Sequence, residues 1–148
     1  MIAIACDHAA IALKNQIIAH LKGRGEALTD CGGFSDKSVD YPDFALKAAL
    51  LVAKGECTRG ILICGTGIGM SIAANKVRGI RCAHCTDEIS AAMARQHNNA
   101  NMIALGARIT AHDTALRMVD IFLNTPFSDE PRHAKRVRKI MDIEENRG

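Results

Sequence analysis

Residues 61–71 read ILICGTGIGMS, and this stretch decides the fold. Ile61 to Cys64 form an apolar run of strand length. Gly65, Gly67 and Gly69 then punctuate the turn, and small and apolar residues continue as a helix to about Asn75. A strand that enters a glycine-rich turn and leaves as a helix is the start of a βαβ unit. Successive N–H groups in such a turn can converge on an anion, aided by the helix N-terminus. The segment is not a P-loop, because no Gly-Lys-Ser/Thr follows. It is also a poor dinucleotide fingerprint, since Met70 stands where the third glycine belongs and Gly69 falls one residue early. Asp87 downstream keeps the dinucleotide alternative open.

The same alternation extends outward on both sides. Met1–Cys6 reads as a buried strand, about Ala9 to Arg24 as a helix ended by Gly23 and Gly25, and Glu26–Cys31 as a second strand. A loop runs through Gly32-Gly33 to Tyr41-Pro42, and a helix covers about Asp43–Lys54. Ile80–Cys85 and Met102–Leu105 supply the fourth and fifth strands. Between them a helix capped by Thr86 or Asp87 runs to His97. Helices over about Ala111–Leu123 and from near Pro131 close the chain. The expected fold is therefore α/β: a three-layer, Rossmann-like domain over residues 1–148, with a five-stranded parallel sheet and helices on both faces. In such sheets ligands sit at the carboxyl ends of the strands, so Asp7-His8, Cys64-Gly65-Thr66 and the segment after Cys85 are the positions to read.

Composition narrows the function. The chain has 148 residues, 48% of them hydrophobic, and a formal net charge of +3. That length supports a real core. Four Phe, one Tyr and no Trp leave little for base stacking, and +3 is too small to imply a nucleic-acid partner. No apolar run approaches the roughly 20 residues of a membrane span. The N-terminus lacks a basic segment and carries Asp7 early, which argues against a secretory signal and for a cytoplasmic location. The six cysteines are then expected to be reduced, mostly as small core residues. Cys82-Ala-His-Cys85 has a redox or metal spacing, but no second close Cys/His pair accompanies it.

Cys64 stands apart by position. A thiol facing a helix N-terminus ionises more readily than a free one and can serve as a general base. Thr66 can hydrogen-bond to a thiolate or an oxyanion, and the loop N–H groups can stabilise an enediolate. Together they make the chemistry of proton abstraction beside a carbonyl. His97 ends a helix, where an imidazolium is favoured, and Asp7 beside His8 could orient an imidazole. Arg132 and Arg136, four apart at a helix start marked by Pro131, suit a phosphomonoester. Arg108 follows the fifth strand as another anion contact.

Five segments carry a resemblance that runs essentially end to end: CDHAAIALK (6–14), VDYPDFA (39–45), GILICGTGIGMSIAANKVRGIR (60–81), RQHNNANMIALGAR (95–108) and RHAKRV (132–137). The chain resembles the sugar-phosphate isomerase family that holds ribose-5-phosphate isomerase B and the allose-6-phosphate and galactose-6-phosphate isomerases. The resemblance implies an aldose–ketose isomerase for ribose 5-phosphate, with a hexose 6-phosphate as the alternative substrate. It makes Cys64 the base between C2 and C1 and His97 the group that opens the furanose ring. Gly65, Thr66, Gly67, Ile68 and Gly69 would cradle the enediolate. Asp7, His8, Tyr41, Asn98, Arg108, Arg132 and Arg136 would bind the substrate, with His8 and the last two arginines on the phosphate side. It further implies a homodimer or dimer of dimers with shared sites, and neither metal nor organic cofactor. Two departures stand out: Asn99, where the family commonly has Asp, and Glu130-Pro131, where glycines are usual.

Overall fold

Side chains alternate between two buried faces along each central strand. In β1 (Ile2–Cys6), Ile2, Ile4 and Cys6 face one helical layer while Ala3 and Ala5 face the other. In β3 (Arg59–Cys64), Ile61 and Ile63 oppose Leu62 and Cys64 in the same way. Burial on both faces removes the apolar–polar alternation of a half-exposed strand, which is why these segments read as continuous apolar runs. The computed structural model describes residues 1–146. Its strands β2 (Leu28–Asp30), β4 (Cys82–His84) and β5 (Met102–Gly106) complete a five-stranded, all-parallel sheet in the order β2-β1-β3-β5-β4.

The helices divide between the faces. α1 (Ile11–Gly23), α4 (Glu88–Gln96) and α5 (His112–Asn124) pack on the isoleucine side, through Leu13, Ile17, Ala91, Met118 and Phe122. α2 (Tyr41–Ala53) and α3 (Ile68–Ala74) pack on the alanine side, through Ala45, Ala48, Ala49, Met70 and Ala74. Each fully buried Leu, Ile or Phe contributes roughly 1.5–3 kcal/mol of transfer free energy. α6 (Pro131–Glu145) buries only His133 among its described residues.

One buried cation organises the loop between β2 and α2. Lys14 is 1% exposed, and its Nζ donates to both carboxylate oxygens of Asp30 and to the Gly33 carbonyl, each at 2.9 Å. The Phe34 ring lies 4.4 Å from the same ammonium. The loop is thereby tied to α1 beside the end of β1.

The architecture agrees with the sequence expectation, and the differences lie at element ends. Tyr41 and Pro42 open α2 instead of closing the loop before it, because proline is tolerated in a helical first turn. The fourth strand begins at Cys82, not Ile80. The Ile80 N–H is drawn back to the Val77 carbonyl and the Arg81 N–H to the Asn101 side chain. It ends at His84 rather than Cys85. The second strand shrinks to Leu28–Asp30, and β3 starts earlier, at Arg59. No helix among the described residues is long and apolar enough to cross a membrane.

Candidate active site

The strand order reverses direction between β1 and β3, and at that switch point the exits of neighbouring parallel strands open a crevice. Two sequence-predicted residues stand on its lips. Cys6 pairs with Ile63 in register, and the Asp7 N–H donates to the Ile63 carbonyl at 3.1 Å, so Asp7 lies level with Cys64. Asp7 is 7% exposed, and one of its carboxylate oxygens accepts the Ala9 N–H at 2.9 Å, fixing the turn that presents His8. The Val39 N–H donates to Nδ1 of His8 at 3.3 Å. That pairing leaves Nε2 to carry the ring proton as a donor.

Cys64 ends β3 and is 5% exposed. The Gly67 N–H points at its Sγ from 3.0 Å, a donor placed to hold the sulfur when it is anionic. This requires Gly67 to adopt φ +82°, a left-handed conformation that glycine takes without strain. The Thr66 hydroxyl accepts the Ile68 N–H at 3.2 Å, so its own proton remains available to a ligand. Two further residues close around the loop. Arg108 lies against Gly65, its guanidinium 3.4 Å from where a Cβ would stand. The Tyr41 ring lies against Gly69, within 2.5 Å of the corresponding position, a proximity only glycine permits. Asp7, His8, Tyr41, Cys64 to Gly69 and Arg108 thus surround one crevice.

The remaining predicted residues lie elsewhere. α4 leaves the exit of β4 and returns to the opposite edge of the sheet, where His97 caps it. The backbone carbonyls of Asn98 and Asn99 accept from Nε of Arg81, the residue that precedes β4. Asn101 meets Gly60 and Arg81 at the strand entrances. From Gly60 to Cys64, β3 runs about 13 Å at ~3.3 Å per residue. His97 stacks on His133 with ring centroids 4.2 Å apart, which brings the first turns of α6, with Arg132 and Arg136, to the same edge. One chain therefore divides the sequence-predicted residues into two groups, and it does not bring them together.

The second group is braced by its own neighbours. Buried Arg95 donates to the Ala100 carbonyl at 2.6 Å and to Asn99 Oδ1 at 2.9 Å, bracing the turn that carries His97 and Asn98. Asn99 adopts φ +46°, which asparagine tolerates better than most residues, and its amide oxygen serves as Arg95's acceptor. His133 accepts or donates at Nδ1 with Ser128 Oγ, 2.7 Å away. Burial, with His97 and Arg132 as cationic neighbours, pushes the His133 imidazole below its ordinary value. At the second departure, Glu130 accepts a hydrogen bond from Arg132 Nε at 2.9 Å. The arginine expected to meet phosphate already faces a carboxylate.

Among the described residues no cluster of three or more His, Cys, Asp or Glu is arranged to hold a metal ion. All six cysteines are free thiols. Burial pushes the Cys82 thiol up to about 12 and raises Cys85 as well, which disfavours the nucleophilic thiolate at both. A cavity of about 470 Å³ lies between β4 and α6, lined by Ile80, Arg81, Cys82, Ile140, Met141 and Ile143 among others. It does not reach Cys64, and its walls are largely aliphatic.

A family model described as ribose/galactose isomerase matches residues 2–140. The chain belongs to the ribose/galactose isomerase family. Among curated relatives, ribose-5-phosphate isomerase B of Escherichia coli is 46% identical over 146 residues, covering 99% of this chain and 97% of that protein. Among solved structures, ribose-5-phosphate isomerase B of Clostridium thermocellum superposes with a TM-score of 0.97 at 52% identity, covering 99% of both chains. The enzyme of Mycoplasma genitalium, solved with bound ribulose 5-phosphate, gives 0.94 at 42% identity over 98% of this chain and 96% of that one. Membership in the ribose/galactose isomerase family accounts for the full length of the resemblance noted in the sequence.

One residue at the crevice was passed over in the sequence. His84 ends β4, and its Nε2 lies 2.8 Å from the Thr66 carbonyl. A strand predicted to continue through Cys85 hides it inside an element. Ending that strand one residue sooner would have placed it at the sheet edge, where site residues are sought.

Proposed function

We propose that this protein interconverts D-ribose 5-phosphate and D-ribulose 5-phosphate through an enediolate. The observation that carries the reading is the Gly67 N–H aimed at a nearly buried Cys64 thiol at the β1/β3 crevice. His97 gives a proton to the ring oxygen, the C1–O bond breaks, and the C1 hydroxyl loses its proton to leave the open aldehyde. The Cys64 thiolate takes the proton from C2, and the electron pair moves to the carbonyl oxygen on C1. The cradle of Gly65 to Gly69 and the Thr66 hydroxyl hold that oxyanion. The thiol returns its proton to C1, while the hydroxyl proton passes from O2 to O1. Asp7, His8, Tyr41, Asn98 and Arg108 position the sugar, and Arg132, Arg136 and His8 take the phosphate. No cofactor enters any step.

The working unit is a homodimer or a dimer of dimers, in which His97, Asn98, Arg132 and Arg136 of one copy complete the crevice of another. The separation of the two groups supports this, as do exposed Ile68, Ile72 and Ile109 beside the cradle, which a second copy would cover. Six free thiols fit a reducing, cytoplasmic location.

The deciding experiment is turnover of ribose 5-phosphate, allose 6-phosphate and galactose 6-phosphate side by side with EDTA present. The highest kcat/KM is expected on ribose 5-phosphate. A hexose phosphate in first place would reassign the substrate and keep the chemistry, and no turnover of any by folded protein would end the reading. Mixing inactive Cys64→Ala and His97→Ala chains tests the shared site. Random reassortment of dimers restores about a quarter of wild-type activity, since half the dimers are mixed and one of their two sites is intact. No recovery after subunit exchange would refute sharing.

A further inference from the structure

The Thr66 carbonyl and the Gly67 N–H are the two ends of one peptide group. The Gly67 N–H donates to Cys64 Sγ at 3.0 Å. On the other end, His84 Nε2 lies 2.8 Å from the Thr66 oxygen. A carbonyl only accepts, so Nε2 carries the proton in that contact, whether the ring is neutral or charged. The Cδ2–Nε2 edge of the imidazole also meets Gly67, its Cδ2 being 2.8 Å and its Nε2 3.1 Å from where a Cβ would stand. Gly106, which has no side chain, lets the Thr66 carbonyl press on β5 from beneath, 2.5 Å from its own Cβ position. The peptide is thus held by His84, by the β5 backbone and by the sulfur.

Building on the reading of Cys64 as the base, we propose that His84 is a positioning residue for that thiol, acting through the Thr66–Gly67 peptide. Two physical effects join there. A donor on the carbonyl fixes the peptide plane, so the N–H stays aimed at the sulfur as charge comes and goes. A hydrogen bond at C=O also polarises the same amide, which strengthens donation from its N–H. The imidazole touches neither the reacting carbons nor the sulfur, and its effect belongs to the proton-transfer step rather than to sugar binding.

His84 is exposed at the end of an edge strand, so replacing it leaves the core untouched. His84→Leu keeps the bulk and removes the donor; His84→Gln restores an N–H that reaches the same carbonyl. For each variant, kcat and KM are measured on ribose 5-phosphate, and alkylation of Cys64 by iodoacetamide is timed by peptide mass spectrometry. For His84→Leu we expect kcat to fall about threefold to tenfold with KM unchanged, the loss of one hydrogen bond. Alkylation of Cys64 slows by a similar factor, and His84→Gln recovers both. Wild-type kcat and alkylation in His84→Leu would overturn the proposal, as would a raised KM with unaltered alkylation. The underlying reading fails separately: wild-type turnover by enzyme fully alkylated at Cys64 would remove the thiol as base. The alkylation ratio of His84→Leu to wild type would still report whether His84 acts on the sulfur.

Discussion

Replacing Gly69 by alanine should separate activity from stability. An alanine Cβ would stand 2.5, 2.6 and 2.7 Å from Cζ, Cε2 and the hydroxyl of Tyr41. Comfortable contact is about 3.5–4.0 Å, so the ring must retreat by roughly 1 Å. Tyr41 is 38% exposed at the first turn of α2 and has room to move. Giving up about ten atom contacts at 0.1–0.2 kcal/mol each costs about 1–2 kcal/mol. Alanine in place of a helical glycine offsets about 0.5–1 kcal/mol of that. The net loss of stability is therefore about 0–1.5 kcal/mol, a fall in Tm of no more than about 6 °C for a chain of this size. A group displaced by 1 Å at the pocket wall has a larger effect on turnover, and kcat/KM should fall about 10- to 100-fold. Calorimetry and steady-state kinetics on Gly69→Ala, Tyr41→Ala and the double variant provide the assay. If the ring transmits the damage, Gly69→Ala adds almost nothing in the Tyr41→Ala background. An equal further loss there would refute the reasoning and place the harm in the loop amides.

Three other outcomes follow from contacts already described. Glu130→Gln frees Arg132 from an exposed ion pair worth about 0–1 kcal/mol, so KM for the sugar phosphate should drop by up to about fivefold, read at low salt. Lys14→Met takes the ammonium from the Gly33 carbonyl and leaves Asp30 with no cation, held only by the Gly32 N–H. Unfolding by urea should show a loss of about 2–4 kcal/mol, less than a fully buried pair because Asp30 reaches solvent. His133 is held below its ordinary value in the fold, so between that value and the unfolded one, about 6.5, the unfolded chain binds more protons. Its contribution to stability is complete above about pH 6.5 and declines as pH falls. His133→Asn should flatten that part of the pH–stability curve, followed by chemical denaturation at pH 5 to 8.

The parts of this fold that could be read in the sequence are those where one chemical signal spans a whole element. Ile61–Cys64 followed by three spaced glycines gave strand, turn and helix at once, and β3 with α3 lies there. Ends were harder, because they depend on which backbone groups find partners across the sheet. Tyr41-Pro42 carries turn chemistry, yet a first helical turn accepts proline, and the ring that meets Gly69 belongs to α2. His84 stayed hidden for a related reason: only pairing with β5 stops β4 there. The separation of the predicted residues was least visible. A motif groups Cys64 with His97 by likeness, whereas the direction of α4 puts them at opposite edges of the sheet.

The alanine-lined face has a consequence for how substrate preference can change. Ala3, Ala5, Ala45, Ala48, Ala49, Ala74 and Ala104 let α2 and α3 sit close to the sheet and to each other, and this closeness is what brings Tyr41 to Gly69. On the proposed reading, the width of the sugar's berth would be governed from beneath the surface, by residues outside the pocket wall. Enlarging Ala48 to valine would lever the Tyr41 end of α2 outward and admit a longer carbon chain, visible as a shift in the turnover ratio between six- and five-carbon phosphates. Drift in the interior, without any change among the contact residues, would then be enough to carry a protein of this build from one sugar to the next.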